Sequence, residues 1–413
     1  MNVATIYKKM IYAAAAAIFL CSTAYAKPAA DDEEVMNQII HSSMLPIAMT
    51  EPVDTGTLLF SDSPEYPETP GILYGDTVSG DCRVYFYHVN QSQEPRKIVV
   101  MAYNPGNEPA EAVLKGYQYT RPSTSYYQVG KELSTMYYEG NWTAHTVSVA
   151  PGGYALLGER LDKIAVQPDE LFSGIVDVVL PSPMILSTMI LPMQEDPQDF
   201  VRKQIYLPSD SAKLRGTFHG KDRSMRTLIP YSPRDGIGYI KIADGIMDRF
   251  LLGRDVMDDR YSEDVGNYGV DYTILLRTKG SGDVHLYFNP QGGEYAGVVE
   301  LTYTDGEKRT EKKIVELPDT KLSMGAGNEF DMQYIDTFSA GTDVTIHMMP
   351  PGAANLPVRI LVVPDGELRK AADAADARKE LQEKGKKKVE QQREAKESQY
   401  KTAAAELGTQ QHS

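Results

Sequence analysis

Cysteine is almost missing from this chain: 413 residues contain two. A disulfide-stapled scaffold is therefore excluded. Tryptophan occurs once, at Trp142. Positive charge is in short supply, with 42 Lys and Arg against 57 Asp and Glu and a net charge of −15. Nucleic acid needs a basic footprint and is excluded as a partner. After the N-terminal leader no run of about 18 apolar residues occurs, so no transmembrane helix is expected in the mature chain. Several catalytic signatures are missing as well. There is no Gly-x-Ser-x-Gly elbow, no phosphate-cradling Gly-Lys-Ser/Thr loop and no Gly-x-Gly-x-x-Gly turn. The seven histidines are scattered, with no close His-x-His or His-Glu-x-x-His pair of the kind zinc favours. Paired carboxylates for glycoside hydrolysis are a different matter, because they assemble in space and leave no local motif.

The first 26 residues read as a secretory leader. Lys8 and Lys9 form a basic start, Ile11 to Cys21 is short and apolar, and Ala24-Tyr25-Ala26 is a small-x-small cleavage site. The expected address is the periplasm, cell surface or exterior. Cleavage removes Cys21 and leaves Cys82 alone. Cys82 opens the apolar run Val84-Tyr85-Phe86-Tyr87, which predicts a buried, inert thiol.

With 42% hydrophobic residues the chain can build real cores. Residues 27–55 form a polar lead-in. From about Thr57 to Pro364 the sequence is a series of short runs rich in Val, Ile, Tyr and Thr, cut by Gly, Pro, Asn and Asp. That pattern predicts antiparallel β-structure. Two stretches look related. Val99–Tyr103 is followed by Asn104-Pro105-Gly106 and a second strand. Val284–Phe288 is followed by Asn289-Pro290 and a second strand. The expected fold is mainly β: two consecutive antiparallel β-sandwich domains, Ig-like or jelly-roll-like, over 56–205 and 206–366.

From Glu367 the composition changes to Ala, Glu, Lys and Gln, which are strong helix formers. Residues 367–413 therefore read as a charged helical or partly disordered tail. Apolar residues are too sparse for a sustained coiled-coil seam, and Gly385 should weaken the helix at its centre. The tail holds eleven basic and nine acidic residues between Glu367 and Leu407. With the two leader lysines set aside, residues 27–366 are left at −19.

Two groups of residues are candidates for chemistry. The segment Asp244–Asp271 is dense in carboxylates and glycines. Asp255, Asp258, Asp259 and Asp264 are candidate Ca²⁺ ligands, since that cation takes six to eight oxygens. Their spacing does not fit the helix–loop–helix calcium pattern, and Arg249, Arg254 and Arg260 are interleaved as alternative partners. No other cofactor is expected. Tyr137, Tyr138 and Trp142 fall around a probable loop, and they form the candidate ligand or partner patch. Such rings offer an apolar body with a polar tip.

Several segments together are familiar: Leu58–Tyr66, Gly71–Tyr74, Tyr87–Asn90, Arg215–Phe218, Gly266–Tyr272, Gly292–Gly297 and Pro350-Pro351-Gly352. Over Thr57–Pro364 the chain resembles uncharacterised secreted bacterial two-β-domain proteins, some of which carry a copper amine oxidase N-terminal-like stalk domain. That stalk is not the catalytic domain of those oxidases, so the resemblance implies neither copper nor oxidase activity. The leading expectation is a non-catalytic envelope or extracellular structural or interaction protein, with an envelope protein or glycan as partner. The alternatives are a carbohydrate-binding module using Tyr/Trp faces, and a glycan-acting hydrolase with carboxylates at the domain junction.

Overall fold

The computed structural model describes residues 30–305, 308–309 and 312–410. The leader read over residues 1–26 lies outside them. Contacts divide the chain into a body, residues 43–365, and a second unit made of the two ends. The fold is mainly β and rich in sandwich packing, with a C-terminal helix. Among the described residues no helix is long and apolar enough to cross a membrane.

In the second unit, helix α1 (Glu33–Ile40) starts at Asp32, whose carboxylate accepts the N–H groups of Glu34 and Val35. This is ordinary N-capping, with Glu33 and Glu34 favourably placed in the first turn. Val35, Ile39 and Ile40 are its buried face. The charged C-terminal helix spans Asp365–Gln410 and runs through Gly385 without a break. Leu368, Ala371 and Ala375 are buried, whereas every side chain from Asp376 to Lys401 is exposed. Arg378 pairs with Glu34 at 3.2 Å and Lys379 with Asp32 at 3.3 Å, which ties the start of α1 to this helix.

The body contains a five-stranded and a fifteen-stranded sheet. The spine of the larger one is two long neighbours, Gly71–Val89 and Leu171–Pro192, paired antiparallel along their length. Sequence patterning reads Ile175–Leu180 and Ile185–Leu191 as separate strands because Pro181 and Pro183 interrupt them. Strand Ala110–Tyr119 pairs with the first part of Leu171–Pro192, and Arg96–Tyr103 pairs with the last part. Their inward residues, such as Leu114, Val178, Val100 and Ile190, share one apolar cluster. A second cluster lies between the sheets. It takes Ile240, Leu286, Phe288 and Ile360 from the small sheet, and Tyr272, Ile274, Val299 and Ile346 from the large one. Cys82 is fully buried in the first cluster, and burial pushes its thiol up to about 12.

Strand Arg215–Arg226 links the parts, pairing antiparallel with Val53–Ser61 and parallel with Asp271–Leu276. Three buried arginines from this strand and Gly71–Val89 anchor the middle of the sheet. Arg83 grips Asp177 with two parallel bonds of 2.8 and 2.9 Å, and also donates to the carbonyls of Lys221 and Gly269. Arg215 pairs with Asp255 at 2.9 Å and Asp258 at 3.0 Å, and donates to the carbonyls of Leu73 and Leu207. Arg223 holds Asp54 in two bonds and Asp248 at 2.6 Å. The planar guanidinium suits such sites because its five donors can be filled in one plane.

Removing one member of a buried pair strands the other charge. Arg83→Met is expected to destabilise the body by about 3–5 kcal/mol, read as a lower denaturant midpoint with unchanged slope. A loss below about 1 kcal/mol, the scale of an exposed pair, would contradict this role.

Candidate functional site

Helix α2 (Tyr126–Glu139) ends on Tyr137 and Tyr138, which the sequence reads as lying around a probable loop. Its buried residues recur at intervals of four, Val129 with Leu133 and Gly130 with Ser134 and Tyr138. Gly140 closes it in the left-handed region, at φ 72°. The helix runs close to the body at Gly130, where an added Cβ would meet the Pro351 side chain at 3.1 Å. Lys131 reaches Glu316 at 3.1 Å and the carbonyl of Pro318.

Tyr137, Tyr138 and Trp142 come together, but facing inward. The Tyr137 hydroxyl accepts from Arg83 Nη2 at 2.6 Å and donates to Asp271 at 3.1 Å. Tyr138 donates to the other Asp271 oxygen at 2.7 Å. Burial pushes Asp271 and both phenols upward. Trp142 meets Tyr137 edge-on at 5.2 Å and donates its indole N–H to the Tyr137 carbonyl. It lies over Gly116, where a Cβ would be 2.4 Å from its ring. Only glycine admits the indole there.

Three of the four carboxylates singled out in Asp244–Asp271 sit on arginines. Asp255 is wholly buried between Arg215 and Arg260, the latter at 3.2 Å. Asp258 faces Arg215 and accepts from Ser209, and Asp259 is held by Arg254. Asp264 is wholly buried and accepts the N–H of Tyr268; burial pushes its carboxyl well above the ordinary range. Among the described residues no group of three His, Cys, Asp or Glu is placed to hold a metal ion.

The open site lies beside α2. A cleft of about 840 Å³ is lined by residues 117–122 with Glu132, Met136, Asn141, Thr143, His145, Glu159, Arg160 and Ile164. Its floor follows from a bulge. The register of Ala110–Tyr119 shifts between Leu114 and Gly116. A bulge re-aims the side chains that follow it. Ala112 and Leu114 pack into the first cluster before the shift, and Tyr117 and Tyr119 pack against it afterwards. The two rings are parallel within 14°, at 6.1 Å. Gln118 is turned the other way and donates to the Asn141 carbonyl. Arg121, Arg160, Glu159, His145, Asn141 and Thr143 are exposed around the rim. The lining comes from separated segments that only the fold assembles.

Ser61 and His88 form a nucleophile-and-base pair that is sealed inside the body. Ser61 Oγ lies 2.8 Å from His88 Nε2, and His88 Nδ1 lies 2.9 Å from the Pro64 carbonyl. A proton on Nδ1 satisfies that carbonyl and leaves Nε2 to accept from Ser61. Both side chains have zero exposure, so the pair is closed to substrate in this conformation.

No protein-family model and no curated protein matches this chain. Among solved structures, the exported protein XepA of PBSX is 10% identical over 71% of this chain and 86% of its own, with a TM-score of 0.14. Vicilin from Solanum lycopersicum (tomato) is 8% identical over 74% of this chain and 84% of its own, with a TM-score of 0.10. Scores this low establish no common fold.

Burial lowers the His88 pKa to about 4. A histidine depressed on folding contributes stability that is present above its unfolded value and lost as pH falls toward the folded one. The window here is roughly pH 6.5 down to 4, and the loss is about 3 kcal/mol. The His88 ring, followed by its carbon-bound proton shift in NMR, is expected to stay neutral at pH 5.5. Titration at the ordinary histidine value would contradict the sealed environment.

Proposed function

We propose that this is an exported, non-catalytic binding protein whose cleft beside α2 takes a hydroxyl-rich ligand, an oligosaccharide of the cell envelope or its surroundings. The observation that carries this reading is the cleft itself. Its 840 Å³ lies within the span of small-ligand sites, but its lining is more polar than most. Arginine, glutamate, asparagine, threonine and tyrosine groups supply both donors and acceptors around it. A sugar can meet both kinds, and parallel tyrosines beneath offer apolar contact to its C–H face. The two rim arginines and two glutamates balance in charge, which favours a neutral glycan over a polyanion. Export is supported by the leader-like residues 1–26 and by the resemblance to secreted bacterial β-domain proteins.

Truncating a hot-spot group in a binding site costs about 1–2 kcal/mol or more. Arg160→Ala, on the exposed rim, is therefore expected to weaken glycan binding about tenfold by calorimetry while leaving the melting temperature in place. A panel of envelope glycans that gives no heat would overturn the reading. So would binding that is indifferent to Arg160 and Tyr119. Turnover of a bound glycan would favour the hydrolase alternative and remove the non-catalytic part.

A further inference from the structure

Asn-x-Ser/Thr, the acceptor pattern for an N-linked glycan, occurs twice in this chain: Asn90-Gln91-Ser92 and Asn141-Trp142-Thr143. The fold treats the two differently. Asn90 has zero exposure, and Ser92 is also buried. The Asn90 amide donates to the carbonyls of Glu94 at 2.9 Å and Val166 at 2.8 Å, which uses both of its N–H groups. Its side-chain oxygen accepts the Ser92 N–H at 3.1 Å and the Ser92 hydroxyl at 2.7 Å. This asparagine clasps the loop that follows strand Gly71–Val89 and is closed to any enzyme.

Asn141 is the reverse. It follows Gly140, whose left-handed φ of 72° turns the chain out of helix α2, and residues 141–144 belong to no helix or strand. Asn141 and Thr143 are exposed, whereas Trp142 between them is half-buried and lies over Gly116. The indole N–H holds that ring down through the Tyr137 carbonyl, at 3.2 Å. Gln118 donates to the Asn141 backbone carbonyl, so the loop is fixed by its backbone and its indole. Among the described residues neither the Asn141 amide nor the Thr143 hydroxyl makes a hydrogen bond. Both side chains are therefore free to meet an enzyme without any bond being broken. Glu139, two residues ahead, adds an exposed carboxylate. An irregular, exposed segment of this kind also opens locally at low cost, which lets it enter a transferase site.

We propose that Asn141 is an N-glycosylation site, modified by a transferase that uses a lipid-diphosphate-linked oligosaccharide. A bond forms between Asn141 Nδ2 and C1 of the first sugar. The C1–O bond to the diphosphate breaks, and its electron pair leaves with the diphosphate. One Nδ2 proton passes to a base of the transferase. Thr143 offers the enzyme a hydroxyl to grip, and Glu139 a carboxylate. Asn141 and Thr143 also line the α2 cleft, so the attached sugar stands at its mouth. The modification requires export, which brings the chain to such a transferase, but it does not require the cleft to bind free glycan.

The test is mass spectrometry of the full chain purified from its native source. Trypsin separates the two candidates, with Asn141 on the peptide Glu132–Arg160 and Asn90 on Val84–Arg96. The first peptide is expected to carry an oligosaccharide mass and the second its bare mass. Asn141→Gln and Thr143→Val, expressed in the same source, should each lose the added mass while the chain stays folded by circular dichroism. Thr143→Ser keeps a hydroxyl and should retain it. The start of the mature chain, read from the intact mass, separates two failures. A chain cleaved after Ala26 with a bare Glu132–Arg160 peptide would overturn the glycosylation alone. A chain that keeps residues 1–26 and is unmodified would overturn the export reading with it. Sugar on Asn90 instead of Asn141, or an added mass that survives Asn141→Gln, would also contradict the proposal.

Discussion

The buried Arg83 guanidinium is the constraint on which the rest of the body depends. A charge at 1% exposure is tolerable only when every donor is filled. Arg83 fills its donors with groups from four separate segments: Asp177, the Lys221 carbonyl with its neighbour Asp222, the Gly269 carbonyl, and Tyr137. Asp177 lies on the long strand that pairs with Ala110–Tyr119, opposite Gly116, and Tyr137 lies on α2. Both walls of the cleft are therefore referenced to one guanidinium. Tyr137 and Tyr138 share Asp271, which fixes α2 to strand Asp271–Leu276 as well.

The surplus acidity of residues 27–366 is not spread evenly over a solvated surface. Asp177, Asp248, Asp255 and Asp264 are all buried, and the first three meet arginine directly. Among the described residues Asp264 and Asp62 make no ion pair with arginine, and burial raises both well above the ordinary carboxyl range. Raised carboxyls contribute stability at acid pH that is lost as pH climbs through their folded values, opposite in sign to His88. These buried carboxyls and the buried histidine therefore pull the body's stability in opposite directions as pH changes.

The mainly β fold was legible because short Val-, Ile-, Tyr- and Thr-rich runs between turn residues admit little else. The C-terminal helix was legible in Ala, Glu, Lys and Gln, and tertiary context did not enforce the break that Gly385 invited. Helix α2 was hidden because Tyr126, Tyr127, Tyr137 and Tyr138 carry strand preference, and packing of Val129 and Leu133 overrode it. The interleaving of Arg254 and Arg260 among carboxylates did signal ion pairing, but Arg215, the main partner of Asp255, lies forty residues away and left no local trace. The cleft was illegible for the same reason. Its floor needs a one-residue register shift, and its wall needs a helix held by an arginine from another strand.

The central claim is that the Arg83–Tyr137 contact holds α2 as a wall of the cleft. Amide hydrogen exchange in Tyr137→Phe measures it directly, since this change removes one hydroxyl and keeps the ring. The account predicts that residues 126–139 lose protection while Leu171–Pro192 keeps its own. Unchanged protection across α2, or an equal loss over the whole body, would contradict it.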